Sequence, residues 1–180
     1  IFLPITFSEF RRKCRHKKLL AGSKAWDPSR RVKLARRPAK YPFINLLAAA
    51  AWSPERIRSV AEYRTLAAPA RGRWTEWLVA QEIWRREALS GNPEPEQLCF
   101  WRSKQHELDF VVRPDLFVEV KAGKASPMDF SWFPSRFPKA QLVVINQVSF
   151  RAGPIQGITL QQFMENEDHF REMSEKNPSN

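Results

Sequence analysis

The sequence is poor in cysteine, glycine, histidine and tyrosine, with two, six, three and two of each in 180 residues. Two thiols, Cys14 and Cys99, are too few for a disulfide framework or a four-thiolate zinc site. They fit one buried and one surface cysteine in a reducing cytoplasm. No apolar run approaches the roughly 20 residues of a membrane span. The opening IFLPITF is too short for the apolar region of a signal peptide, and its basic cluster follows rather than precedes it. Secreted and membrane-spanning classes are thereby excluded. There is no internal repeat, no GxxxxGKS or GxxxxGKT loop and no GxGxxG turn, so no motif points to a nucleoside triphosphate. The chain opens on Ile1 rather than Met, as expected of a piece of something longer.

Acid is the other scarcity, and it is local. Residues 1–73 carry 18 Lys/Arg against 4 Asp/Glu, a net charge of +14. Residues 74–180 carry 12 against 15, a net −3. A basic block beside a near-neutral one suits a polyanion, because each Lys or Arg set on a phosphate releases a counterion. DNA is the expected partner, with an acidic protein as the alternative.

What is present is a 43% hydrophobic, 12% aromatic composition that can bury a sizeable core. Residues 1–39 read as a basic arm or linker, 40–72 as a helical connector and 73–180 as the main domain. Residues 8–40, with 13 Lys/Arg and no sustained period, suit an arm, loop or short hairpin. KYPFINLLAAAAW is apolar, and Ser53-Pro54-Glu55 after it offers an N-cap, a first-turn proline and an early acid. That predicts a helix through Ile57, Val60, Ala61 and Ala67, broken by Pro69. RGRWTEWLVAQEIWRREALSGNP is the clearest helix. Trp74, Trp77, Leu78, Gln81, Trp84 and Ala88 share one face, and Gly91 with Pro93 ends it. A second face carries Glu76, Ala80, Ile83 and Glu87, which places Glu76 near the protein body.

Beyond SGNPEPE the period becomes two. QLCFWR, HELDFVV, LFVEVKA and QLVVINQ read as four short strands. Three prolines in ASPMDFSWFPSRFPKA allow only a short or broken helix between the third and fourth. Thr159 caps a last helix, with Leu160, Phe163, Met164 and Phe170 inward. The fold class is α/β: helix, three-stranded meander, crossover, further strand and helix, behind a basic N-terminal extension.

The chemistry concentrates in HELDFVVRPDLFVEVKAG. Glu107, Asp109 and Val111 share one strand face, and Phe117, Glu119 and Lys121 share one in the next. With a turn at Arg113-Pro114-Asp115, Asp109 stands opposite Glu119 and Glu107 opposite Lys121. Facing carboxylates repel, and a hard cation such as Mg²⁺ (or Mn²⁺) offsets that with one or two carboxylates plus water and phosphate. The alternative is a hairpin whose wet face carries ordinary charge.

Asp109, nine residues, then Glu119-x-Lys121, preceded by a helical glutamate, resembles the PD-(D/E)xK nuclease superfamily. More closely, the chain resembles the uncharacterised domain C-terminal to the ATPase module in many prokaryotic AAA-type ATPases. The residues are Gly72-Arg-Trp-Thr-Glu76, Phe100-Trp101-Arg102, Glu107-Leu108-Asp109-Phe110 and Glu119-Val120-Lys121. GITLQQF resembles that family's closing strand-to-helix segment, and Lys40-Tyr-Pro-Phe-Ile-Asn45-Leu an upstream one. Leu108 stands where the superfamily has proline, and Asn45 where the ATPase-associated domain usually has Asp. The resemblance spans about residues 38–165. It implies a restriction-endonuclease-like core that cuts phosphodiesters with Mg²⁺. Asp109 and Glu119 are then the metal ligands, Lys121 the charge-stabilising residue and Glu76 an accessory acid, with an ATPase module upstream in the full-length protein.

Arg71, Arg73, Arg102, Lys104 and Lys124 are the candidate nucleic-acid contacts. His106 falls on the face opposite Asp109 and reads as a packed or surface histidine rather than a base. The tryptophans are mostly core, with Trp101 or Trp132 the candidates for stacking on a base. Three functions follow: a metal-dependent nuclease-like domain, a non-catalytic DNA-binding module, or an interaction appendage of an ATPase.

Overall fold

The computed structural model describes residues 19–34, 39–91 and 98–166. The expected places of Cys14, Pro93 and Phe170, and most of the basic segment, lie outside these residues.

The element order begins with a short hairpin, β1 (Lys24–Asp27) and β2 (Val32–Lys33), followed by helices α1 (Leu46–Trp52), α2 (Val60–Thr65) and α3 (Ala68–Leu89). Strands β3 (Cys99–Arg102), β4 (Glu107–Leu108), β5 (Phe110–Arg113) and β6 (Leu116–Val120) come next. A crossover of one 3₁₀ turn (Pro127–Phe130) and α4 (Phe133–Arg136) leads to β7 (Gln141–Asn146). The chain then makes β8 (Phe150–Ala152), β9 (Ile155–Thr159) and α5 (Leu160–Glu165). The architecture is mixed α/β with two mixed sheets. The larger has the order β5-β6-β7-β9-β8, and the smaller β2-β1-β3-β4.

Two local readings are corrected. Ser53 does not start a helix; it ends α1, its N–H donating to the Ala49 carbonyl. The next helix is capped by Ser59, whose Oγ accepts from Glu62 N at 3.1 Å, while the Glu62 carboxylate accepts from Arg58 N. Both serines precede a helical pattern, but the chain takes positive φ at Arg56 and reopens the helix only beyond it. The break expected at Pro69 falls at Leu66 and Ala67, between α2 and α3, and Pro69 itself lies in the first turn of α3, where a missing N–H costs nothing.

The α3 face that packs most deeply is also not the tryptophan stripe. Thr75, Val79, Ala80, Glu82 and Ile83 are buried with Trp74, while Trp77, Leu78 and Trp84 are half-buried. Glu82 is accommodated by ion pairs to Arg85 and Arg86, and Arg86 reaches the Phe163 carbonyl, tying α3 to α5.

The large sheet is covered on both faces. Val118, Val143, Ile145 and Ile158 pack under α3 and α5, against Val79, Ile83 and Phe163. Phe117, Leu142, Val144 and Ile155 pack on the other side against Phe130, Phe133 and Phe137 of the crossover and Trp101 of the small sheet. The face carrying Glu119 is therefore not a wet one. Capping at Thr159 is as expected, with Gln162 completing a reciprocal pair of hydrogen bonds. The three-proline crossover yields two four-residue turns.

The β8–β9 hairpin was not foreseen, nor was the attachment of β1 to β3. Strand β1 runs parallel to β3, Lys24 opposite Cys99, so this part of the basic segment is a sheet strand and not a free arm. Leu20 and Ala21 are buried beside it.

Gly157 in β9 faces Phe150 in β8, and a Cβ there would stand only 2.3 Å from the nearest atom of the Phe150 ring. Gly157→Ala should lower stability by about 1–3 kcal/mol through overpacking, and Phe150→Leu should restore part of it, as read by thermal melting. An additive double variant would show that the ring and the glycine are not coupled.

Candidate functional site

Strand register sets the site. Phe110 pairs with Val118 and Val111 with Phe117, the expected alignment, and the shift needed to close the turn falls between Val111 and Arg113. Extended by one residue, the same alignment sets Asp109 against Glu119. The chain bends at Asp109, between β4 and β5, and two hydrogen bonds to the carboxylates cross the gap. The Asp109 N–H donates to Glu119 Oε2 (3.2 Å), and the Val120 N–H donates to Asp109 Oδ2 (3.0 Å). Each carboxylate thus takes an N–H from the strand of the other. Lys121 projects on the same side, its Nζ 2.5 Å from Glu119 Oε1.

The bend has a second consequence. Glu107 does not face Lys121 as expected; β4 pairs with β3 instead, setting Glu107 opposite Arg102, which ion-pairs with it. Glu76 comes in from α3. Between these groups lies a residue to which sequence reasoning gave no role. Lys40 Nζ is 3.7 Å from Asp109 Oδ1 and 3.9 Å from Glu76 Oε1, and it ion-pairs with Glu107. Lys40 opens the upstream segment of the family resemblance, and that was its only signal. Asn45 of the same segment N-caps α1, its Oδ1 accepting from Ala48 N at 3.0 Å. Asn and Asp serve equally at an N-cap, so the departure at this position keeps its physical role. The Leu46 N–H donates to Gln81 Oε1, joining that capped end to α3.

Of the proposed nucleic-acid contacts, Arg102 is brought to the carboxylates. Arg73 ion-pairs with Glu55 and lies over Trp77. Arg71 is half-buried, and its carbonyl accepts from Thr75 Oγ1. Lys104 and Lys124 are exposed in the loops after β3 and β6. His106 stacks on Trp132 at 4.1 Å, and Trp132 is near-parallel to the buried Trp101.

Burial, reinforced by the negative charge of Asp109, pushes the Glu76 carboxyl up to about 7 against the opposing pull of Lys40. Glu119 is raised likewise to about 7, by burial first and then by Asp109, with Lys121 opposing. Burial also raises Asp109, against the Val120 hydrogen bond and the two lysines. Glu107 goes the other way: burial raises it, and Lys40 with Arg102 outweighs that to leave it lowered. Both lysines are raised, because their carboxylate partners outweigh their own burial.

The cluster gathers four carboxyls, Glu76, Glu107, Asp109 and Glu119, around three cations, Lys40, Arg102 and Lys121. Among the described residues no group of three or more His, Cys, Asp or Glu is disposed to hold a metal. Asp109 and Glu119 supply oxygen donors alone, the set a hydrated hard cation accepts. No family model, curated protein or solved structure matches the chain. Among the described residues no helix is long and apolar enough to cross a membrane.

The raised Glu76 gives a signed pH dependence. A carboxyl at 4.5 unfolded and about 7 folded stabilises the fold below pH 4.5 and loses that contribution as pH rises through 7. Glu76→Gln should melt with wild type near pH 4.5 and above it at pH 7.5, by up to about 3 kcal/mol at 1.36 kcal/mol per unit. A difference that stays flat across this range would mean that Glu76 titrates as an ordinary surface acid.

Proposed function

We propose that this is a nuclease-like domain of the PD-(D/E)xK kind, with a restriction-endonuclease-like core, that binds DNA and hydrolyses phosphodiesters with Mg²⁺ or Mn²⁺. The observation that carries this reading is Glu119. It is a glutamate 5% exposed in an interior strand of a sheet packed on both faces, set against Asp109 with Lys121 beside it. Facing carboxylates repel and their burial is costly, a cost that a bound cation would offset, and this supports a role toward one.

Asp109 and Glu119 would hold the ion. When bound, a divalent cation supplies Lewis acidity toward phosphate oxygens and makes water a better nucleophile. The chain's own groups do the rest. The Asp109 and Val120 N–H groups fix the two carboxylates in place. The Lys121 ammonium stands where it can offset charge developing on the phosphate. Glu76, at about 7, can hold or release a proton near neutral pH. The +14 of residues 1–73 supports DNA as the polyanion. The resemblance further supports an AAA-type ATPase module upstream, and the genomic reading frame before Ile1 tests that.

Cleavage of linear, supercoiled, single-stranded and branched DNA under Mg²⁺ and Mn²⁺ tests the reading. Asp109→Asn should lower the rate sharply and recover partly with more metal. Lys121→Ala should lower it by about 10²-fold or more while metal affinity holds or rises. Glu76→Gln should have the smaller effect, and DNA affinity at low salt should change little in all three. Lys40 and Arg102 already neutralise part of the cluster, which favours a second reading, a DNA-binding module without catalysis. Wild type that binds DNA and cuts under neither metal would select it.

DNA affinity should also fall steeply with salt, by about 0.9 counterions per phosphate contact. Leu20, Ala21 and β1 belong to the folded body, so the informative truncation removes residues 1–18. It should flatten the slope of log affinity against log salt, and an unchanged slope would assign binding to other surfaces.

A further inference from the structure

We infer that the paired rings of His106 and Trp132 form a stacking platform for an unpaired DNA base, which makes single-stranded or frayed DNA the preferred partner. This deepens the DNA reading above and rests on it. Of the two tryptophans that the sequence offers for such a contact, Trp101 is closed. It is 3% exposed and stands edge-on to Phe137 at 5.0 Å. Trp132 is half-buried, and the half-buried imidazole of His106 lies flat against it, 4.1 Å between ring centres and 9° from parallel. Trp132 in turn stacks against Trp101, 5.7 Å away at 21°. A base has a π-face of the same kind, so it extends such a stack without any matching pattern of hydrogen bonds.

The platform is built from fixed parts. In the turn between β3 and β4 the Ser103 N–H donates to the His106 carbonyl (2.7 Å) and the His106 N–H to Ser103 Oγ (2.9 Å), which sets the histidine backbone. Trp132 immediately precedes α4, whose Phe133 is buried in the core. Positive charge flanks the rings: Lys104 is exposed in the same turn, and Arg136, also exposed, holds its guanidinium 5.8 Å from the centre of the Trp101 ring. Cations for the phosphates beside rings for the bases are the two elements of a single-strand site. Each base inside a duplex is already stacked and paired, and would have to be extruded at the expense of both. An unpaired base bears no such cost. Glu107 follows His106 directly and belongs to the carboxylate cluster, so the platform adjoins the proposed site.

The test measures binding of a short labelled oligothymidine to the full chain by fluorescence anisotropy, in chelator so that nothing is cut, with relaxed closed-circular duplex as competitor. Wild type should hold the oligothymidine more tightly than the duplex. His106→Leu with Trp132→Leu keeps apolar bulk and removes both flat faces. It should lose about 5- to 100-fold in affinity for the oligothymidine and leave the duplex affinity unchanged. His106→Phe with Trp132→Phe keeps the faces and should stay near wild type. If the leucine pair does not melt as a folded protein, photocross-linking of wild type to oligothymidine carrying 5-iododeoxyuridine decides. Cross-links at His106 or Trp132 support the platform, and cross-links elsewhere alone overturn it. Wild type that prefers duplex, a leucine pair that loses nothing or loses equally for both DNAs, or a phenylalanine pair that loses as much as the leucine pair overturns the inference and leaves the DNA reading standing. Wild type that binds neither DNA overturns both.

Discussion

The fold is organised around one exchange, in which Asp109 and Glu119 each accept the backbone N–H offered by the other's strand. Two facing carboxylates would ordinarily drive strands apart. Here their oxygens take the place of ladder acceptors where the strand bends. The bend diverts β4 to β3 while β5 continues along β6. A single residue thus joins the small sheet to the large one, and the cost of burying charge is incurred where the two sheets meet.

From that junction the placement of Lys40 follows. The small sheet recruits β1 on the free side of β3, and the chain leading into β1 pairs with residues 40–43 through the Ser23–Lys40 and Leu20–Phe43 bridges. Lys40 is brought to the carboxylates by this pairing and not by any nearness in sequence to Asp109. The cluster of Phe43, Leu20, Ala49 and Trp74 then anchors α1 against α3, the helix that carries Glu76. Removing β1 would loosen the site as well as the sheet, which makes the described part of the basic segment structural.

The parts legible in the sequence were those with short-range causes. The period-two runs gave β3, β5, β6 and β7. The register of Phe110 and Val111 followed from the turn, and Thr159 and the proline-rich crossover behaved as their local chemistry requires. What escaped had long-range causes. Glu107 was paired with Lys121 because a straight strand was assumed, and no local signal marks the bend at Asp109. Lys40 is separated from Glu107 by 67 residues, and its partner Ser23 sits in a segment whose charge masks its strand. On α3 the periodicity gave two faces without ranking them, and Val79, Ala80 and Ile83, smaller than the indoles, are the residues that let the helix approach the sheet closely.

The same structure separates two kinds of positive charge. Surface basic residues such as Lys104 and Lys124 are free to follow a polyanion and are screened by salt. Lys40 and Lys121 are fixed against buried carboxylates, where screening is weak and position decides the effect. The first kind can change affinity for a charged partner without touching the cluster. The second changes the cluster's charge without adding reach. A chain with a net +14 in its first 73 residues and −3 in the rest thus keeps its surface charge and the charge of its carboxylate cluster in different places. Lys40 bridges the two, being drawn from the basic first 73 residues into the acidic centre.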